Sequence, residues 1–148
     1  MENIYSHEYV HVIFKVEDLQ PLIDPVWGKG LHLHLIDLYR DREYSIIEAN
    51  SMPDHLHILF QFHITPTYLY DIMETVKAEA KAWIKEHSHS ADFSWEKGYS
   101  AFTIHYTDIP YYRDFIQNQS EIHQNNTFID EYRKIIEEGI IIIEEADF

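Results

Sequence analysis

Two histidines one residue apart, His55 and His57, stand in the run Met52-Pro53-Asp54-His55-Leu56-His57-Ile58-Leu59-Phe60. An extended strand sends successive side chains to opposite faces. His55 and His57 therefore point together, while Leu56, Ile58, Phe60 and Phe62 point into a core. Two neutral imidazoles on one face are half a metal site. Their nitrogens suit Mn, Fe, Co, Ni, Cu and Zn, and with oxygen ligands added they hold an ion that polarises a phosphate. The spacing alone also fits two hydrogen-bonded histidines on a sheet surface. A second pair, His32 and His34, lies in a segment of helical pattern. There the side chains diverge by about 200° and cannot share an ion, so both read as structural histidines.

The elements that must position this pair follow from periodicity. Tyr9 to Val16 is rich in β-branched and aromatic residues and reads as a first strand ending at Glu17-Asp18. Leu19 to Ile23 and Leu31 to Tyr39 read as helical, separated by Pro25 and the Gly28-Lys29-Gly30 breaker. A second strand, Tyr44 to Asn50, should pair antiparallel with the histidine strand, His55 to about His63. Thr65-Pro66-Thr67 starts a long helix whose stripe is Leu69, Ile72, Met73, Val76, Ala80, Trp83 and Ile84. Lys77, Lys81 and Lys85 line one flank of that helix at intervals of four; ordinary pairing with Glu74, Glu79 and Glu86 and a ridge that tracks phosphates both fit. His87-Ser88-His89-Ser90 ends the helix in a loop. Ala101 to Thr107 alternates as a fourth strand, and Pro110 opens a helix carrying Phe115 and Gln119 on one face. A last helix spans about Phe128 to Glu138 and stops at Gly139, after which Ile140 to Ile143 forms an edge strand or an extended tail. The fold class is α+β: a ferredoxin-like, split β-α-β antiparallel sheet with helices on one face plus C-terminal helices.

Three further stretches accompany the histidines: Phe93-Ser94-Trp95-Glu96-Lys97-Gly98-Tyr99-Ser100-Ala101-Phe102, then Phe115-Ile116-Gln117-Asn118-Gln119, then His123 with Phe128-Ile129-Asp130-Glu131-Tyr132. In this order and spacing the chain resembles the small single-tyrosine HUH transposases of bacterial insertion sequences, in the branch related to the REP-associated tyrosine transposases. The resemblance covers roughly residues 5 to 133. It implies the ferredoxin-like fold and a metal held by His55, His57 and Gln119, with Asp54 orienting the first ligand. It also implies Mg or Mn as the divalent ion, single-stranded or hairpin DNA as partner, and a homodimer. In that family a tyrosine hydroxyl attacks a DNA phosphate and leaves a 5′-phosphotyrosine with a free 3′-hydroxyl. Here the matching position is Phe115, which has no hydroxyl and cannot form that bond. Tyr111 and Tyr112 lie on the same side of the helix, each displaced by roughly 5 to 6 Å, and would serve only if the helix slid.

Composition sets limits on these readings. A chain of 148 residues with 45% hydrophobic content fits one domain, taken as residues 1–148 with an acidic tail from about 137. The absence of cysteine removes disulfides and thiolate chemistry and fits a reducing cytoplasm. The first residues lack a signal peptide's basic start and apolar run, and no stretch approaches the roughly 20 apolar residues of a membrane span. The net charge of −15 opposes nonspecific grip on nucleic acid. Three functions stand at this point. One is a transposase-like DNA-binding protein without standard tyrosine catalysis, another an active DNA transposase using Tyr111 or Tyr112, and the third a regulatory, protein-interacting module derived from a transposase.

Overall fold

The computed structural model describes residues 8–40, 43–63, 68–88, 92–122, 127–137 and 142–144. Five strands, β1 (Glu8–Lys15), β2 (Tyr44–Met52), β3 (His55–Phe62), β4 (Ser100–Ile104) and β5 (Ile142–Glu144), form one sheet in the order β2-β3-β1-β4-β5. Every neighbouring pair is antiparallel. With α1 (Pro25–Leu38) between β1 and β2 and α2 (Leu69–Ser88) between β3 and β4, this is the split β-α-β, ferredoxin-like arrangement.

The central strands β1 and β3 are buried on both sides because both faces are covered. On the first face Val10, Val12, Phe14, Leu56, Ile58 and Phe60 pack with Leu31 and Leu35 of α1 and Met73, Val76, Ala80 and Ile84 of α2. On the second face α3 (Ile109–Gln117) sets Tyr112 and Ile116 against Leu59 and Ile104. There too α5 (Phe128–Glu137) sets Phe128, Tyr132 and Ile135 against Ile13 and Phe102. The C-terminal helices therefore roof the face that carries the histidines.

Several boundaries differ from the sequence expectation, each for a local reason. No helix forms over Leu19 to Ile23; a single 3-10 turn, Glu17–Leu19, ends with Asp18 and Leu19 at φ 55° and 52°. Pro25 does not separate two helices but opens one, because a first-turn proline needs no N–H partner and Asp24 caps the end by accepting from the Val26 N–H at 2.9 Å. Gly28 and Gly30 lie inside that helix. A Cβ at Gly30 would stand 3.1 Å from the Trp83 ring, so the glycine lets α1 and α2 approach closely. Pairing on β4 ends at Ile104, where the Tyr106–Asp108 3-10 turn begins. The helix opened by Pro110 closes at Asn118, so Gln119 belongs to the next short helix, α4 (Gln119–Ile122). The α5 start is fixed by a reciprocal cap, the Asp130 N–H donating to Thr127 Oγ1 at 3.3 Å and the Thr127 N–H to Asp130 Oδ2 at 3.4 Å. β5 adds an edge strand to β4. Thr65-Pro66-Thr67, His89-Ser90, Gly139 and the acids beyond Glu144 lie outside the described residues.

Candidate metal centre

The turn before β3 sets the site. The Asp54 and Pro53 carbonyls accept from the Val16 and Ile23 N–H groups, both at 2.9 Å, which ties the Met52-Pro53-Asp54 corner to the ends of β1 and α1. From that corner, held by the residue after β1 and by Ile23 ahead of α1, Asp54 Oδ1 lies 2.6 Å from His55 Nδ1. A carboxylate there holds the proton on Nδ1 and turns Nε2 inward. His55 Nε2 then lies 3.2 Å from Glu131 Oε2 and 3.2 Å from Gln119 Oε1. His57 Nε2 lies 3.0 Å from Glu131 Oε1, and its Nδ1 is 2.7 Å from His11 Nε2. Gln119 Nε2 donates to Glu131 Oε1 at 2.7 Å and to the Phe115 carbonyl at 3.3 Å, which fixes the amide so that its oxygen faces His55.

These groups are sealed from water. His11, His55, His57 and Gln119 are 0% exposed and Glu131 is 3% exposed. The Phe128 ring lies 4.5 Å from His55, and the Phe115 ring meets His57 edge-on at 5.8 Å. Burial alone would push the His55 imidazole down, but the hydrogen bonds and charges of Asp54 and Glu131 outweigh it and raise it to about 9. Burial, reinforced by His57, holds His11 well below the ordinary value of 6.5 and so neutral. The donor atoms of His55, His57 and Glu131 all lie within 4.8 Å of one another. The Nε2 atoms of His55 and His57 stand 3.2 and 3.0 Å from the two Glu131 carboxylate oxygens, so both imidazoles turn toward one carboxylate. Two imidazoles and a carboxylate, with an amide oxygen beside them, suit a divalent transition metal. The group could thus hold a metal, with His55 already oriented from behind.

Of the residues singled out from the sequence, His55, His57, Gln119 and Asp54 come together. Gln119 arrives from α4 rather than from the helix of Phe115. Glu131 and His11 were missed. Each is a polar residue inside an apolar pattern, which is the signal that marks them. Phe128, Glu131, Tyr132 and Ile135 recur at helical spacing on the buried side of α5, and His11 interrupts Val10-Val12-Ile13 in a central strand. Tyr111 is 52% exposed, whereas Tyr112 is buried in the α3 core with its ring 5.9 Å from His11.

The three lysines do not form one exposed row. Lys77 is buried, and its amine donates to the Glu96 and Gly98 carbonyls at 2.9 Å each, because the preceding turns of α2 face the Trp95–Gly98 loop. Lys81 reaches Ser94 Oγ at 3.4 Å, and Lys85 is exposed. His32 and His34 take separate partners, Ser51 Oγ at 2.7 Å and Glu79 Oε1 at 3.2 Å. Among the described residues no helix is long and apolar enough to cross a membrane.

No curated protein matches the sequence. Among solved structures, a Deinococcus radiodurans protein described provisionally as a transposase aligns with a TM-score of 0.53 at 17% identity, over 75% of this chain and 89% of that one. The REP-associated tyrosine transposase, solved bound to a REP hairpin, aligns with a TM-score of 0.56 at 15% identity, over 78% of this chain and 68% of that one. At those identities the likeness concerns the fold. The family model described as "Transposase IS200 like" matches residues 4–119, most of the chain, and the protein belongs to that family.

Proposed function

We propose that this protein is a DNA-binding member of the family that holds a divalent metal at His55, His57 and Glu131, with Gln119 alongside, and recognises single-stranded or hairpin DNA without the covalent tyrosine step. The observation that carries the reading is the pairing of an assembled ligand group with Phe115. The ligands converge within 4.8 Å, while the aromatic ring packed edge-on against His57 belongs to a residue with no hydroxyl. A phosphoryl transfer through a covalent enzyme intermediate needs a nucleophile at that place. A bound ion would supply Lewis acidity toward a phosphate. Two imidazoles favour Mn over Mg, which prefers an all-oxygen shell.

Glu131 supports the same reading. Its carboxylate lies between the two histidines, and Phe128 closes the space beside His55. A DNA phosphate reaches the centre only where this part of α5 gives way. The hairpin carried by the REP-associated neighbour supports hairpin DNA as the partner class.

The net charge of −15 favours a second reading, a regulatory module that binds protein rather than nucleic acid. One experiment separates these. Labelled single-stranded hairpin DNA is incubated with Mn and with Mg, using the wild type and Phe115→Tyr, and resolved for binding and for covalent adducts. Hairpin binding by both proteins with an adduct only in Phe115→Tyr is the expected result. An adduct in the wild type that disappears on replacing Tyr111 and Tyr112 by Phe would establish a relocated nucleophile. Absence of binding in both proteins would overturn the DNA-binding reading and leave the regulatory module. A homodimer is part of the proposal, and light scattering of the intact chain checks it.

A further inference from the structure

One residue on β1 is left over by the metal-centre reading. His11 is completely buried, ringed by Phe102, Tyr112 and Phe115 at centroid distances of 6.0, 5.9 and 6.1 Å. It stacks on His57 at 5.0 Å with the planes 27° apart. Its Nε2 shares the 2.7 Å hydrogen bond with His57 Nδ1, and its own Nδ1 has no hydrogen-bond partner among the described residues. A fully buried imidazole with one ring nitrogen unpartnered carries a desolvation cost that an apolar residue would not. Such a cost points to a task at the one partner it has.

Two ring nitrogens 2.7 Å apart share a single proton. If it sits on His11 Nε2, His57 accepts at Nδ1 and must carry its proton on Nε2, where no ion can bind. If it sits on His57 Nδ1, His11 accepts, and His57 Nε2 keeps its lone pair toward the place where it meets Glu131 Oε1 at 3.0 Å. His11 then carries its proton on Nδ1, the atom with no described partner. We infer that His11 is the positioning residue of His57, its Nε2 accepting the Nδ1–H of His57 and fixing the ring plane and tautomer that present Nε2 to a metal. It does for His57 what Asp54 does for His55, with an imidazole in place of a carboxylate. The inference rests on the reading of His55 and His57 as metal ligands.

The test uses the full chain and Zn²⁺, which is diamagnetic, with three readouts: zinc affinity by chelator competition, ¹⁵N chemical shifts of the His57 ring, and thermal unfolding. His11→Phe removes the unpartnered Nδ1 but leaves His57 Nδ1 without its hydrogen bond, so its thermal stability should stay near that of the wild type. It should weaken zinc binding by about 10- to 100-fold and release His57 into a mixture of ring tautomers. His11→Gln places an amide oxygen near the former Nε2 and should recover most of the affinity together with the Nδ1-protonated form of His57. Packing alone would not produce a loss of affinity at near-wild-type stability, nor that rescue. Wild-type zinc affinity in His11→Phe, or equal weakening in folded His11→Phe and His11→Gln, overturns the inference. If His11→Phe does not fold, His11→Gln decides by the same affinity and tautomer readouts. A wild type that binds no zinc while ¹⁵N coupling across the His11–His57 hydrogen bond is present sinks the metal reading and this inference with it. Zinc binding indifferent to His11 sinks the inference alone.

Discussion

Metal binding at this centre should depend steeply on pH, and the dependence can be worked out from one residue. In the metal-free protein His55 titrates at about 9 because Asp54 and Glu131 outweigh its burial. An ion at Nε2 must displace that proton. At pH 7 the displacement costs about 2.7 kcal/mol, two units at about 1.36 kcal/mol each, so apparent affinity should rise about tenfold per pH unit between pH 7 and 9. An imidazole at the ordinary 6.5 would give an almost flat profile over that range. Calorimetric zinc titrations from pH 7 to 8.5, in buffers of different ionisation enthalpy, should show this slope and the release of about one proton at pH 7. Asp54→Asn removes the first of the groups that hold His55 up. It should flatten the slope at neutral pH while weakening binding about 10- to 100-fold at pH 8.5, where orientation rather than proton displacement dominates. The same raised value stabilises the metal-free fold: the contribution is fully present below about 6.5 and is lost as pH rises through about 9. A zinc affinity independent of pH between 7 and 8.5, or no proton release, would refute the electrostatic account of His55.

Three further outcomes follow from buried groups. Glu131→Gln should cost about 3–5 kcal/mol of metal-free stability by urea unfolding, since it removes one side of a buried ion pair and leaves the His55 charge beside a neutral amide; a change under about 1 kcal/mol would mean that the carboxylate is not paired there. Burial depresses His32 to about 4, so its contribution is full above about 6.5 and falls away as pH drops toward about 4. His32→Gln should therefore flatten the acid limb of the stability profile by up to about 3 kcal/mol, and an unaltered limb would contradict it. Lys77→Met should lose about 1–3 kcal/mol by leaving the Glu96 and Gly98 carbonyls unsatisfied, whereas Lys85→Ala should leave the melting temperature unchanged. Equal thermal effects from the two would contradict the burial of Lys77.

Strand parity placed His55 and His57 together, and the pattern of strands and helices gave the ferredoxin-like order, because both are governed by local periodicity. Parity could not say whether the face they share is open. That depended on α3 and α5 folding back over it, which is tertiary packing of Tyr112, Ile116, Phe128 and Ile135. The glycines of α1 misled for a related reason. Gly28-Lys29-Gly30 reads as a breaker by propensity, yet close approach to Trp83 makes the small residue useful inside the helix. The burial of Lys77 was not legible, because spacing along a helix flank does not reveal which loop packs against it. Glu131 and His11 were legible in principle, as polar interruptions of buried stripes, but only a fold shows that two such interruptions meet.

The most direct test of the metal centre is anomalous diffraction from crystals of the protein grown with Mn²⁺, read at the manganese edge and checked against Zn²⁺. One strong peak is expected, enclosed by His55 Nε2, His57 Nε2 and the Glu131 carboxylate, with the Gln119 amide oxygen adjacent. A well-ordered centre with no peak under saturating Mn²⁺ and Zn²⁺, its two histidines simply hydrogen-bonded to Glu131, would contradict it.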